Sequence, residues 1–211
     1  MMGISDRDAE VALIRSDTER RADGIYQARL GETLLKSAFQ PIIEVTDDGL
    51  QVCAYEALIR PYRNGCRVSA EMFFADVAPD NTMLVDRLCR ALHFRNFAAF
   101  GPKNASILVN VDPAAYGDLD LSDPTVFRAL KCLSASGLTP DRVIYEIVER
   151  PSTDERAIFA IASRLRASGV RIAVDDFGGQ VLDFSRLAML RPDLVKMDGG
   201  VLQKARSGGP H

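Results

Sequence analysis

The 211-residue sequence is poor in several residue types, and each shortage excludes a class of protein. Its four cysteines form no Cys-x-x-Cys pair and it has only two histidines, which excludes a zinc finger or zinc ribbon. No apolar run is long enough to span a membrane, and the N-terminal MMGISDRDAE lacks the apolar segment of a signal peptide. We therefore expect a cytoplasmic protein with free thiols and no membrane association.

The sequence also has no excess of positive charge. The formal net charge is -3, so the chain offers no long-range attraction for DNA or RNA, and polymeric nucleic acid is not expected as a partner. A small phosphorylated ligand remains possible, because a bound metal can supply positive charge that the side chains lack.

The chain has what one globular domain needs. Hydrophobic residues make up 47% of it, while aromatic residues make up 7% and tryptophan is absent, so the predicted core is mainly aliphatic. Residues 1–25 are mostly charged, and we predict an exposed helix or tether there, able to dock or dimerise, with a disordered leader as the alternative. Residues 26–211 are the predicted domain.

Apolar spacing predicts the order of helices and strands in that domain. A helical spacing begins at Tyr26, and residues 39–45 and 51–60 then form an antiparallel hairpin, because the short connection contains Asp48-Gly49. Strands and helices alternate after that. Helices are predicted at 69–77, 82–100, 124–135, 153–167 and 182–190, and strands at 106–111, 142–148, 170–175 and 194–197.

Repeated strand-helix units with nearly unbroken apolar strands predict an α/β fold with a parallel sheet that is buried on both faces. A TIM-type (β/α) barrel entered through one antiparallel hairpin strand fits best, because polar residues collect where the strands end. The chain ends soon after the strand at 194–197, whereas a complete barrel has about 250 residues, so we expect the last two β-α units to be missing.

Acidic and amide side chains close three of the predicted strands: Asn110 and Asp112, Glu146 and Glu149, and Asp175 and Asp176. In barrels this end of the strands is the mouth of the active site. Oxygen ligands without histidine select hard cations such as Mg²⁺ or Mn²⁺. Taken alone, the Asp175-Asp176 pair could instead be a helix N-cap or a turn at a strand end.

Two other residues could take part in chemistry. Lys196 ends the last strand, where a lysine beside acidic ligands can orient a water or stabilise a phosphoryl oxygen; the alternative is a structural salt bridge with Asp175 or Asp198. A barrel lyase with Lys196 as its Schiff base is a further, weaker alternative. His93 lies between Leu92 and Phe94 in a predicted helix, which favours a packed or surface histidine over a catalytic one.

An ordered series of motifs resembles the EAL family. The series comprises Phe39-Gln40-Pro41, Glu56-Ala57-Leu58 followed by Arg60, Asn110, Glu146-Ile147-Val148-Glu149, Asp175-Asp176-Phe177-Gly178 and Lys196-Met197-Asp198. They are similar to the family's YQP, EAL, VN, ELTE, DDFG and KID motifs and stand in the family's order, over residues 26 to 198.

The resemblance implies a function and a role for each matched residue. The family hydrolyses cyclic di-GMP to linear pGpG in bacterial second-messenger signalling, which implies two Mg²⁺ or Mn²⁺ ions held by Glu56, Asn110, Glu146, Asp175 and Asp176. Lys196 matches the lysine that positions the attacking water, and Glu149 the glutamate that steadies the loop after DDFG. The residues matched to ligand contacts are Arg60 for a phosphate and Gln40 and Leu58 for the pocket.

The sequence departs from the family at two places. The loop after DDFG, residues 178–184, reads GGQVLDF where the family has a sequence close to GTGYSSL, and this loop supports metal binding and the dimer interface in the family. The later EGVE glutamate and the glutamine near QG have no counterpart, so the chain is expected to be a fragment or a natural truncation. These departures leave an alternative function: a catalytically degenerate domain that acts as a cyclic di-GMP receptor or as a protein-interaction module, as a homodimer or with another protein.

Overall fold

The computed structural model describes residues 18–111, 136–147, 155–177, 184–197 and 199–208, and they divide between two compact units. The first unit contains residues 1–107 and 131–138, and the second contains residues 108–130 and 139–211. The helix predicted at 124–135 and residues 1–17 of the predicted tether lie outside the described residues. In the described ranges, no helix combines the length and the apolar character needed to cross a membrane.

The strands of the first unit pair antiparallel, in the order β1-β2-β3-β4, with β5 paired to β4. The strongest feature is the long hairpin of β3 and β4, which turns through Asp47 and Asp48 because Thr46 pairs with Gly49. Gly49 has a φ of 116°, which glycine adopts without a steric cost. This confirms the predicted antiparallel hairpin. The strands are β1 (Thr18–Arg20), β2 (Tyr26–Leu30), β3 (Thr33–Thr46), β4 (Gly49–Arg63) and β5 (Cys66–Arg67).

The start of this unit differs from the prediction. Residues 18–20, which are part of the predicted tether, form β1, and the helix expected from Tyr26 is wrong because residues 26–30 and 33–38 lie in β2 and β3. The chain turns at Gly31, where φ is 56°, so that Ala28 pairs with Leu35 and both side chains are buried. Pairing and burial therefore outweigh the local helix propensity. In the described ranges the antiparallel part has five strands, more than the one hairpin strand predicted.

The α-helices of the first unit that the structure describes from end to end are α1 (Ala70–Ala75) and α2 (Thr82–Phe100). The hydroxyl of Ser69 caps α1 by accepting a hydrogen bond from the backbone N–H of Met72 at 3.1 Å. Helix α2 has the predicted bounds and ends where Gly101 precedes a proline, which disfavours a helical conformation. A Cβ on Gly101 would lie 2.6 Å from both the ring and the carbonyl oxygen of Phe97, so the close approach there requires glycine.

The core of the first unit lies between this helix and the sheet. Leu35, Val85 and Leu92 are completely buried in one cluster with Phe73 and Leu88. A row of rings continues it, because Phe39 contacts His93 and Phe97 at centroid distances of 6.4 and 5.7 Å. These contacts fix one face of the hairpin against α2.

In the second unit the described strands follow the order β6-β7-β8-β9, and β7, β8 and β9 are parallel. Every residue of β7 is buried, as expected for a parallel strand that is covered on both faces. The elements agree with the predicted alternation, apart from the final helix, which was not predicted. They are β6 (Ser106–Val111), β7 (Val143–Ile147), α3 (Glu155–Ala167), β8 (Arg171–Phe177), α4 (Phe184–Leu190), β9 (Leu194–Met197) and α5 (Gly199–Arg206).

Specific hydrogen bonds place β9 beside β8. The carboxylate of Asp193 accepts a bond from the N–H of Ile172 at 2.9 Å, and the N–H of Asp193 donates to the carbonyl of Ile172 at 2.8 Å. Arg166 on α3 donates to the carbonyls of Leu190 and Arg191 at 2.7 and 2.8 Å, which holds the end of α4. The result is an α/β fold with a parallel sheet in this unit. Closure of a barrel and the domain bounds 1–25 and 26–211 stay predictions.

Candidate functional site

Three side chains from three neighbouring strands meet in the second unit. The Nζ atom of Lys196 on β9 lies 2.8 Å from Oε1 of Glu146 on β7 and 3.3 Å from Oδ1 of Asp175 on β8. Strands lie about 4.8 Å apart, so only a long side chain on β9 can reach across β8 to β7. The predicted clustering of strand-end residues is therefore present for these three.

Their burial is unequal, and that decides the electrostatics. The side chain of Glu146 is fully buried, whereas Lys196 is 28% and Asp175 is 30% exposed. A carboxylate in the interior requires a counter-charge, and the lysine supplies it from the more accessible side. The salt bridge to Asp175 that the sequence left open is thus present. Lys196 thereby connects the buried carboxylate of Glu146 to the partly exposed carboxylate of Asp175, whereas both partners of a surface salt bridge are exposed.

Strand β8 carries an irregularity at its two aspartates. Val174 pairs with Val195 and Phe177 pairs with Met197, so β8 advances three residues where β9 advances two. The extra residue falls at the Asp175-Asp176 step, opposite Lys196. Bulges of this kind redirect side chains and are common beside active sites. This geometry favours a site over the helix N-cap that the aspartate pair alone allowed.

The other predicted residues of this unit are described to different extents. Asn110 is half-buried at the end of β6, the strand next to β7. Asp176 lies in β8 by its backbone, and its side chain is outside the described part. Glu149, Asp112 and Asp198 also lie outside the described residues, so the structure does not test their expected roles.

The first unit brings together the remaining predicted residues. Gln40 on β3 pairs directly with Glu56 on β4, and Leu58 and Arg60 follow at alternate positions of β4, so all four share one face of the hairpin. The intervening Ala57 and Ile59 are buried on the opposite face. The alternation of β4 therefore separates the predicted ligand contacts from the core.

The donor atoms of the second unit suit a hard divalent cation. Two carboxylates already direct negative charge at one point, where Nζ of Lys196 sits, and an amide side chain stands on the next strand. Among the described side chains, no group of three or more histidine, cysteine, aspartate or glutamate residues is close enough to hold an ion. The carboxylates of Asp176 and Glu149 are outside that search.

His93 belongs to the core of the first unit, so of the packed and surface positions expected for it the packed one is observed. It is 4% exposed, and burial, followed by the positive charges of Arg90 and Arg60, lowers its pKa from 6.5 to about 3. Its Nδ1 lies 2.8 Å from Oγ of Ser37, and Asn96 donates to the same oxygen at 3.2 Å. Sequence reasoning missed this network, because its members are up to 59 residues apart and follow no motif.

Three cysteines in the described ranges are free thiols: Cys53, Cys66 and the buried Cys89. Burial, with the nearby charge of Asp86, raises the pKa of the Cys89 thiol well above its usual range, so this thiol stays protonated.

Fold and site together define the class of the protein: an α/β domain whose parallel strands present acidic side chains and a lysine at their carboxyl ends. Comparison with known families narrows this class to one. The EAL domain model matches residues 24–210, which is most of the chain, and the chain therefore belongs to the EAL domain family.

Individual relatives agree with this membership. An uncharacterized signaling protein of Caulobacter vibrioides is 30% identical over 168 residues, which are 76% of this chain and 19% of the relative. The probable cyclic di-GMP phosphodiesterase PdeA of Escherichia coli is 35% identical over 74 residues, 34% of this chain and 10% of the relative. The structure of Klebsiella pneumoniae BlrP1 in its manganese and cy-diGMP complex at pH 6 matches with a TM-score of 0.69 at 26% identity, over 81% of this chain and 42% of that one. The chain spans less than half the length of each.

Proposed function

We propose that this chain binds cyclic di-GMP and, with Mg²⁺ or Mn²⁺, hydrolyses one of its phosphodiester bonds to give linear pGpG in the cytoplasm. The observation that carries the proposal is the ammonium group of Lys196 held between the carboxylates of Glu146 and Asp175. Membership of the EAL domain family, the name of PdeA and the ligands of BlrP1 support it. The site would lie at the mouth of a TIM-type barrel.

Five residues would hold the two metal ions: Glu56, Asn110, Glu146, Asp175 and Asp176. All five offer oxygen donors, which fits Mg²⁺ or Mn²⁺. When bound, such ions supply positive charge beside the phosphate oxygens and favour ionisation of a water molecule. The fully buried Glu146 is the strongest support for this role, because an interior carboxylate needs positive charge around it.

The chain's own residues would bind the ligand and orient the attacking water. Lys196 would orient the attacking water, and its two carboxylate partners fix the position of the ammonium group. Arg60 would bind a phosphate, and Gln40 and Leu58, on the same face of the hairpin, would line the ligand pocket. Glu149 would steady the loop after residue 177.

The contacts of Lys196 argue against the lyase alternative. A Schiff base forms from a neutral amine, whereas Lys196 faces two carboxylates at 2.8 and 3.3 Å, which favour its charged form. Phosphodiester hydrolysis can use the positive charge of Lys196, whereas Schiff-base formation would first require its removal. Absence of borohydride trapping with carbonyl substrates is the expected result.

The test is incubation of the purified chain with cyclic di-GMP and either Mg²⁺ or Mn²⁺, with the products resolved by chromatography and mass. We expect pGpG from the wild type, none after chelation, and a loss of about 10²-fold or more in Lys196→Met and Glu146→Gln. Lys103→Met, which changes an exposed lysine on a loop of the first unit, should match the wild type.

Folding is checked in parallel by circular dichroism, so that lost activity is not confused with lost structure. A folded wild type that gives no product with either metal would refute hydrolysis by this chain. Calorimetry then separates the remaining possibilities, since nucleotide binding without turnover means a receptor and no binding means an interaction module.

A further inference from the structure

Two basic side chains face each other across the hairpin of the first unit. Lys36 on β3 pairs directly with Arg60 on β4. Directly opposite residues of an antiparallel pair have Cβ atoms about 5 Å apart, and like charges in this position destabilise the sheet. Both residues are half-buried, so water screens their repulsion only in part. A pair of this kind needs an explanation.

Neither charge is neutralised in the described part of the chain. The contacts of Arg60 comprise a hydrogen bond from its Nη1 to the carbonyl oxygen of Ile59 at 3.0 Å and its electrostatic effect on His93. The ammonium group of Lys36 lies 4.7 Å from the centroid of the Tyr62 ring, and neither basic residue has a carboxylate partner there. Lys36 thus rests on a ring, a contact that an anion can displace.

The pair occupies the face that the proposed function uses. Alternate residues of a strand lie on the same face of the sheet. Lys36 and Arg60 therefore share their face with Leu58 and with the Gln40–Glu56 pair. Four residues of strand separate the two pairs, which is roughly 14 Å at 3.4 Å per residue. One end of the face therefore carries a carboxylate, and the other end carries two cations.

We propose that Lys36 is a second phosphate-binding residue, which contacts the same phosphate of the ligand as Arg60. This inference rests on the proposed function, because its ligand is cyclic di-GMP. The anion removes the repulsion between the two cations, and the planar guanidinium and the mobile ammonium bind it from opposite strands. The flexible lysine leaves the ring of Tyr62 to do so.

The experiment is calorimetric titration of the full chain with cyclic di-GMP in Ca²⁺, which is not one of the two ions proposed to support hydrolysis, for the wild type, Lys36→Met, Lys36→Arg and the control Lys103→Met. Loss of a charge-assisted contact should raise the Kd of Lys36→Met about tenfold or more. Lys36→Arg should recover most of the affinity, and Lys103→Met should equal the wild type. Added salt should weaken the wild type more than Lys36→Met, because the variant has lost one ionic contact.

A double-mutant cycle with Arg60→Met identifies the shared phosphate. If both residues hold one phosphate, the double variant loses less affinity than the two single changes imply. Equal Kd values for the wild type and a folded Lys36→Met overturn this inference and leave the proposed function standing, and so do additive losses. A wild type that neither binds nor hydrolyses the nucleotide overturns both.

Discussion

The imidazole of His93 provides a quantitative test of the first unit. Burial holds its folded pKa at about 3, against 6.5 for an exposed histidine. Between these values the unfolded chain binds a proton that the folded chain refuses, so the free energy of unfolding must fall as the pH is lowered below 6.5. Each pH unit in this window costs about 1.4 kcal/mol, and lowering the pH from about 7 to about 5 should cost about 2 kcal/mol through this one group.

The variant His93→Gln removes the titrating group and keeps a polar side chain beside Ser37. Urea unfolding at about pH 7 and about pH 5 should show the wild type losing about 2 kcal/mol more between the two conditions than the variant loses. Far-ultraviolet circular dichroism is the suitable signal, because the chain has no tryptophan. His211→Gln, which changes the other histidine of the sequence, serves as the matched control.

Carboxylates also change the free energy of unfolding between the two pH values, but they do so equally in the wild type and in both variants. Their contribution therefore cancels when the variants are compared with the wild type. The control should lose as much as the wild type. Equal pH dependence of the wild type and His93→Gln, within about 0.5 kcal/mol, would refute the reasoning, because the folded chain would then protonate this histidine as easily as the unfolded one.

Three further predictions concern the site and one helix end. Lys196→Met should lower the free energy of unfolding by about 3–5 kcal/mol, since it removes the ammonium group 2.8 Å from the buried carboxylate of Glu146, whereas Glu146→Gln should cost less; urea unfolding without metal decides this. Gly101→Ala should cost about 1–3 kcal/mol in the same assay because its Cβ meets Phe97, and Gly199→Ala, with open space around it, should cost nothing. Mg²⁺ at about 100 times its Kd should stabilise the wild type by about 2.7 kcal/mol and Glu146→Gln by less, measured as a shift in Tm.

The sequence predicted best the elements that have strong local signals. Helix α2 and strands β6 and β9 have their predicted bounds. The helix stops at Gly101-Pro102, where the proline disfavours a helical conformation of the residue before it, and β9 begins two residues after Pro192. Elements with such stop signals depend little on the rest of the fold.

The prediction was wrong where distant pairing decides the structure. The stretch from Tyr26 to Ala38 has the residues of a helix, yet Ala28 and Leu35 pair across a turn at Gly31 and are buried in the sheet. Strand β1 exists through its pairing with β2, and its own sequence of Thr18, Glu19 and Arg20 carries no strand signal. Long-range contacts of this kind cannot be found in a local window.

In the candidate site, too, some features could be predicted from the sequence and others could not. That Glu146, Asp175 and Lys196 would gather followed from their positions at strand ends, because parallel strands bring those ends together. Which atoms pair, and which carboxylate is buried, did not follow, because Lys196 and Glu146 are 50 positions apart in the sequence. The bulge at Asp175 was also beyond prediction, since it is a mismatch of register between two strands.

The spacing of the Glu-Ala-Leu motif has a physical cause in this structure. A strand of period two gives each side of the sheet every second residue, so Glu56, Leu58 and Arg60 face one side while Ala57 and Ile59 enter the core. The buried residues fix the strand against α2, and the fixed strand sets the places of the acid and the arginine. A one-residue slip of register would exchange the two sets, putting a carboxylate and a guanidinium into the core. The packing that stabilises the first unit is therefore also what keeps its predicted ligand contacts on one accessible face.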